Sequence, residues 1–148
     1  KPVDELLFKE YVRAAYLTSA KIMEARQLDK EEKSHFDELY LLRNLEGDRT
    51  LMRKILLDFV QEGPAMLTEL SLAVTGGETE KIVWQANKAK GAFSSIGAER
   101  MRMLMLMLET AAEATPPDFK HFQELMVLIE QEYQKLKQCL EEWVRDDG

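Results

Sequence analysis

The sequence is poor in cysteine, proline and glycine and lacks long apolar runs, and each shortage excludes a class of protein. Cys139 is the one cysteine among 148 residues, so no disulfide framework can form within the chain, which is typical of a reducing compartment. Seven glycines and four prolines are too few for an architecture of many short strands and turns. The longest apolar run, residues 103–108, is far shorter than a membrane span. The composition therefore excludes a secreted mini-protein and a membrane protein.

Positive charge is also scarce. The chain has 27 acidic and 20 basic residues, a net charge of −7, which argues against nucleic acid as its main partner. A hydrophobic share of 45% with 32% charged residues is typical of a soluble globular protein, and 148 residues suffice for one domain. The first residues contain neither an initiator methionine nor an apolar signal region, so we expect a trimmed chain.

Apolar residues recur at helical spacing along almost the whole chain, whereas strands, repeats and low-complexity tracts are not evident. Six helices are predicted. The first covers residues 3–26, the second begins at a capping box at Asp29 or Ser34, and the third covers 49–74. The fourth begins at about residue 78, the fifth covers 98–114, and the last ends near residue 144. The expected inward residues are Phe36, Leu39, Tyr40 and Leu42 in the second helix, and Leu51, Ile55, Phe59, Met66, Leu67 and Leu70 in the third.

Four short segments punctuate these helices. Residues 45–48 contain a glycine suited to a helix stop, and residues 75–77 form the clearest turn. Proline in the pair 63–64 predicts a kink in the third helix or its division into two. Residues 115–118 supply a threonine N-cap, two prolines for a first turn and an acid, which predicts the start of the last helix.

Short connections between these helices favour antiparallel neighbours around one core. The predicted fold class is therefore all-α, an up-down four-helix bundle over residues 49–146 with additional N-terminal helices over 1–45. We expect one domain over residues 1–148.

One segment invites a different interpretation. Residues 101–108 alternate methionine and leucine, and alternation is typical of a strand. Both residue types form helices well and neither is β-branched, so we predict a helix. Its methionines could offer an adaptable binding surface, but the helical frame on both sides favours core packing.

Motifs for catalysis are missing. The chain has no Gly-x-Ser-x-Gly turn and no phosphate-binding Gly-x-x-x-x-Gly-Lys loop, and we expect Cys139 to be a packed or half-exposed helix residue. A paired-metal bundle would need Glu-x-x-His on two helices and carboxylates on two others. Only Glu32 with His35, and more weakly Asp118 with His121, approach that pattern, and the other inward carboxylates are missing. We therefore expect solvated histidines, no metal site and no cofactor.

The fourth helix has two distinct faces. With Asn87 set at zero on a helical wheel, a continuous apolar side lies between about 100° and 180° away and predicts the core: Ile82, Ala86, Ala89, Phe93 and Ile96. The residues within about 60° of Asn87 are Glu80, Val83, Trp84, Lys90, Gly91 and Ser94. A glycine within a helix costs about 1 kcal/mol relative to alanine. Gly91 therefore indicates either a face on which a partner docks or close packing of a neighbouring helix.

The run from Asn87 through Lys90-Gly91 to Ser94-Ser95-Ile96-Gly97-Ala98 resembles the motif of histidine-containing phosphotransfer proteins, especially the plant type. That motif reads His-x-x-Lys-Gly, then small residues, then Ser-x-Gly-Ala. The order of helices and the Gly-Gly turn extend the resemblance to nearly the whole chain. The resemblance implies a partner-binding surface at the positions Val83, Trp84, Asn87, Lys88, Lys90, Gly91, Ser94 and Ser95.

One position departs from the motif, because Asn87 stands where the family carries its phosphorylated histidine. A neutral imidazole has a free lone pair that can attack an aspartyl phosphate, whereas an amide nitrogen has its lone pair delocalised into the carbonyl. His35 and His121 lie outside this helix and cannot substitute. Lys90, which would help to hold phosphate charge in an active relative, can still complement an acidic receiver pocket. The change could be natural or engineered.

The resemblance thus implies a phosphotransfer-type protein of a multistep histidine-to-aspartate relay that lacks its phosphoacceptor and is not an enzyme. It would bind receiver domains of hybrid histidine kinases and response regulators as a decoy, in cytokinin-type signalling, as a monomer in cytoplasm and nucleus. Mg²⁺ would be present only as the receiver's own ion. A metal-dependent oxidoreductase bundle and a purely structural helical adaptor are the alternatives.

Overall fold

The structure, a computed structural model, describes residues 35–147, and this part of the chain contains five α-helices and no strand. They are α1 (Glu38–Asn44), α2 (Arg49–Thr75), α3 (Thr79–Ser95), α4 (Glu99–Glu113) and α5 (Phe119–Asp147). The helix predicted at 3–26 and the capping residues Asp29 and Ser34 lie outside the described residues.

Aspartate caps open the first two of these helices. The Asp37 carboxylate accepts a hydrogen bond from the backbone N–H of Tyr40 at 3.1 Å, and Asp48 accepts one from Leu51 at 3.0 Å. Between them Gly47 has a φ of +81°, which ends α1 as predicted for residues 45–48. The turn predicted at residues 75–77 is also confirmed, since it separates α2 from α3.

Helices α2 to α5 form the bundle, and α1 packs against α2. Helix α3 packs against α2 and α4, and α5 packs against α2 and α4 from the other side. The fully buried side chains at the centre come from all four helices: Met52, Leu56, Leu70, Ile82, Phe93, Met101, Met105, Leu108, Leu125, Ile129 and Leu136. The all-α bundle is confirmed, as are the helix and core packing predicted for residues 101–108.

Two predictions concerned proline. Helix α2 continues through Pro64, so its predicted division into two helices is wrong, while the kink stays a prediction. Gly63 is buried where a Cβ would collide with the ring and hydroxyl of Tyr133, so this glycine lets α5 approach α2 closely. Helix α5 begins at Phe119, and residues 116–117 precede its first turn instead of forming it.

The inward faces of α1 and of the first turn of α2 were predicted only in part. Leu41 is buried in α1, whereas Leu39 is 65% exposed and Tyr40 is also exposed. In α2 Leu51 is exposed and Met52 is buried. A helix of seven residues makes only about two turns, so its apolar spacing hardly defines a face. Further along α2, Leu70 is buried, and Ile55, Phe59, Met66 and Leu67 are partly buried against the core as expected.

The prediction that both histidines are solvated was wrong for His35, which is buried. Its Nδ1 lies 2.6 Å from Glu132 Oε2, and Arg100 Nε donates to the other oxygen of Glu132 at 3.0 Å. The N–H of Asp37 also donates to the carbonyl of Gly97 at 3.0 Å, so the start of the described chain is fixed to the α3–α4 turn. Because Glu132 lies 97 residues from His35 in the sequence, local periodicity could not predict this contact.

His121 is half-buried near the start of α5, with Nδ1 2.8 Å from Asp118 Oδ2. Among residues 35–147, no three histidine, cysteine or acidic side chains are grouped so that they could hold a metal ion. Within the same range, every helix is too short or too polar to cross a membrane.

Candidate functional site

Helix α3 presents one side to the core and the other to solvent, as the helical wheel predicted. Ile82, Ala86, Ala89 and Phe93 are buried, and Ile96 is buried just beyond the helix end. Asn87 is exposed on the opposite side. We call the outward positions the outer face: Val83, Trp84, Asn87, Lys88, Lys90, Gly91, Ser94 and Ser95.

Asn87 is held by a buried carboxylate from the neighbouring helix α4. Its Nδ2 donates to Glu109 Oε2 at 3.1 Å. Lys90, one turn further along α3, donates from Nζ to Glu109 Oε1 at 2.7 Å. Glu109 is only 6% exposed, and the side chain of Lys90 is 26% exposed. One carboxylate therefore binds both the amide at position 87 and the ammonium of Lys90.

A large aromatic side chain lies on the same face. Trp84 is 61% exposed, and Lys88 Nζ lies 5.1 Å from the centre of its ring, a cation–π contact. Trp84 borders an open groove of about 490 Å³ that is also lined by Thr79, Glu80, Val83, Asn87, Glu109 and Ala112. Large exposed aromatics beside such grooves are typical of surfaces that bind another protein.

Gly91 has no close neighbour among residues 35–147 that would require a glycine. A Cβ built at this position meets no atom within 4 Å, so among the described residues no helix packs closely there. Of the two explanations for a glycine inside α3, close packing of another helix among residues 35–147 is therefore excluded. The other explanation, a face on which a partner docks, stays a prediction.

The serines at the end of α3 complete the outer face. Ser94 is half-buried, and Ser95 is exposed, with its hydroxyl donating to the carbonyl of Ala92 at 2.7 Å. A hydroxyl that bonds the backbone of its own helix is committed to local structure. Ser95 therefore contributes surface shape to the outer face.

The arrangement can bind but lacks a nucleophile for phosphoryl transfer at position 87. The Asn87 amide nitrogen has no basic lone pair, and its N–H group is directed at Glu109. Both described histidines lie elsewhere, His35 in its buried contact with Glu132 and His121 on α5. Position 87 therefore offers hydrogen bonding and no nitrogen that could attack phosphorus.

The helical wheel correctly predicted which side of α3 is buried, but the sequence analysis missed Glu109. This residue follows Met105 by four positions, which puts an acid on the buried side of an apolar helix. An isolated carboxylate within such a stripe needs a cationic partner. That signal was present in the sequence, although it does not say which of the basic residues would be the partner.

Comparisons with known proteins identify relatives of this fold. A family model described as "Hpt domain" matches residues 54–142, a range that includes Asn87 and Glu109. The chain is similar to the crystal structure of histidine-containing phosphotransfer protein B (HptB) from Pseudomonas aeruginosa PAO1. The match has 20% identity and a TM-score of 0.69, and covers 76% of this chain and 96% of that one, so it shows a shared fold. No curated protein matches significantly.

Proposed function

The chain belongs to the Hpt domain family, whose members act in phosphorelays with receiver domains, and from this premise we propose that it docks on receiver domains without accepting phosphate. The observation that carries the proposal is the position of Asn87. It lies exposed at the centre of the outer face, where the family motif has its phosphorylated histidine.

The loss of acceptance follows from the chemistry of the side chain. Transfer from an aspartyl phosphate needs a nitrogen lone pair that can attack phosphorus, and the amide of Asn87 has none available. Its nitrogen also donates to Glu109, which directs the N–H group towards the interior. Asn87 can still take part in binding, because its carbonyl oxygen is a hydrogen-bond acceptor.

The rest of the outer face supports docking. Trp84 offers a large apolar contact, and the open space over Gly91 lets a partner approach the α3 backbone. Lys88 adds an exposed positive charge, which suits the acidic pocket of a receiver domain. A protein that docks in this way without accepting phosphate competes with active phosphotransfer proteins, so we propose a decoy role.

The finer assignments rest on the motif alone. We propose receiver domains of hybrid histidine kinases and response regulators as partners, a role in cytokinin-type signalling as a pseudo-phosphotransfer protein of the plant type, and action as a monomer in cytoplasm and nucleus. Titration with a panel of isolated receiver domains would identify the partners.

The test of the missing acceptor is Asn87→His. The unaltered protein should take no label from a radiolabelled phospho-receiver, and the variant should take it. Glu109 is placed to accept the N–H of one imidazole nitrogen, which would leave the other free to attack. The core side of α3 is untouched, so the free energy of unfolding should change by less than about 0.5 kcal/mol.

The matched control is Asn87→Ala, which removes the amide without adding an imidazole and should stay unlabelled. Label on the unaltered protein would mean that another residue accepts phosphate, and the decoy role would be wrong. If neither protein were labelled although both bound the receiver, the acceptor geometry at position 87 would differ from that of active relatives.

A further inference from the structure

We propose that the outer face prefers receiver domains in their unphosphorylated state, an inference that rests on the docking proposed above. An ordinary phosphotransfer site has to stabilise a phosphoryl group, which adds a charge of about −1.5 to −2. The side chains around Asn87 leave few free donors or cations that could stabilise such a group.

The first observation is the state of Lys90. Its ammonium lies 2.7 Å from Glu109 Oε1, and the Glu109 side chain is 7% exposed. If Lys90 turned outward to a phosphoryl group, it would leave a buried carboxylate without its cation, which is strongly unfavourable. Lys90 is therefore held by Glu109 and does not serve as a free cation for an incoming phosphate.

The second observation is that the amide at position 87 is also engaged, because it donates to Glu109 Oε2 at 3.1 Å. Lys88 is exposed, but it lies about 100° further around the helix, with its ammonium 5.1 Å from the centre of the Trp84 ring. A phosphoryl group brought to Asn87 would thus lie near the Glu109 carboxylate. The positive charge of Lys90 only neutralises that carboxylate, so no net positive charge remains to attract the phosphoryl group. The net charge of −7 on the chain adds a general repulsion.

An unphosphorylated receiver does not need a free cation from its partner. Its acidic pocket, with Mg²⁺ bound, needs a partner that fills space and offers hydrogen bonds, and Asn87, Trp84 and the open surface over Gly91 offer both. A decoy of this kind would be selective, because it would bind receivers before they are phosphorylated and release them afterwards.

The experiment compares one receiver domain in two forms by calorimetry. The first form has Mg²⁺ alone, and the second has Mg²⁺ and beryllium trifluoride, which mimics the aspartyl phosphate. We expect the unaltered protein to bind the first form at least fivefold more tightly. Glu109→Gln should release Lys90 and reduce or reverse this preference.

Glu130→Gln removes the same charge from an exposed position on α5 and should keep the preference of the unaltered protein. Equal binding of both forms, or tighter binding of the beryllium trifluoride form, would overturn the inference while leaving docking intact. If neither form bound, docking itself would be wrong, and the inference would be wrong with it. If Glu109→Gln and Glu130→Gln shifted the preference equally, the effect would be one of net charge and the role assigned to Glu109 would be wrong.

Discussion

Two glutamates are buried in the described part of the chain, and they differ in whether a side chain that contacts them is exposed. Glu132 binds Arg100 and His35, which we call the closed cluster, and Glu109 binds Lys90 and Asn87, which we call the open cluster. Each carboxylate has one cationic partner and one further side chain within hydrogen-bonding distance. In the closed cluster both partner side chains are largely buried, whereas in the open cluster Asn87 is exposed.

This difference separates a structural role from the recognition role that we propose. The closed cluster joins the start of the described chain to α4 and α5, and solvent hardly reaches it. The open cluster has the same chemistry but presents one of its members at the surface. A buried carboxylate therefore indicates a binding site only when one of the side chains that contact it is exposed.

The largest effect should come from breaking the closed cluster. Glu132→Gln keeps the side-chain volume but removes the charge of a buried carboxylate that both His35 and Arg100 contact, so we expect the free energy of unfolding to fall by about 3 kcal/mol. Glu109→Gln should cost about 1 kcal/mol or less, because Lys90 and Asn87 can regain contact with water. Chemical denaturation of both variants would measure the difference, and equal losses would contradict the distinction between the clusters.

A binding effect should come from filling the space beside the open cluster. Gly91→Glu adds bulk and negative charge to the outer face, opposite an acidic receiver pocket. We expect affinity for an unphosphorylated receiver to fall at least tenfold, or about 1.4 kcal/mol, with little change in helicity. Glu130→Lys on α5 is the control and should be nearly silent. Calorimetry showing unchanged affinity for Gly91→Glu would remove this face from the interface.

The smallest effect should be a gain in stability. Gly91→Ala places a Cβ where nothing lies within 4 Å, so it should stabilise α3 by about 1 kcal/mol. Gly97→Ala is the contrasting variant, because Gly97 has a φ of +81° and its Cβ would lie 2.9 Å from the carbonyl oxygen of Asp37. Thermal unfolding should show opposite signs for the two, and a loss of stability in Gly91→Ala would reveal a contact over this glycine.

The predictable part of the molecule was the part governed by local spacing. Seventeen residues of α3 make almost five turns, so the apolar side from Ile82 to Phe93 defines the core unambiguously. The same spacing put Trp84 and Asn87 outward. Helix ends at residues 45–48 and 75–77 followed from glycine, whose freedom at positive φ the structure uses at Gly47 and Gly77.

The parts that were missed depend on contacts between distant residues. The burial of His35 was missed because Glu132 and Arg100 lie on other helices, and local sequence does not indicate that they come together. The start of α5 was misplaced because a proline pair is compatible both with a first turn and with the stretch before it. The partners of Glu109 could not be predicted because they lie on α3 and come close to it only when the two helices pack.

The exposure of Trp84 gives the molecule a built-in optical reporter. Its indole is largely in water, whereas the second tryptophan, Trp143, is half-buried on α5 with the Arg49 guanidinium 6.0 Å from its ring. A partner that covers the outer face moves the Trp84 indole into a less polar medium, which shifts its emission to shorter wavelength. Trp84→Phe leaves only the Trp143 signal, so fluorescence can follow docking without a label.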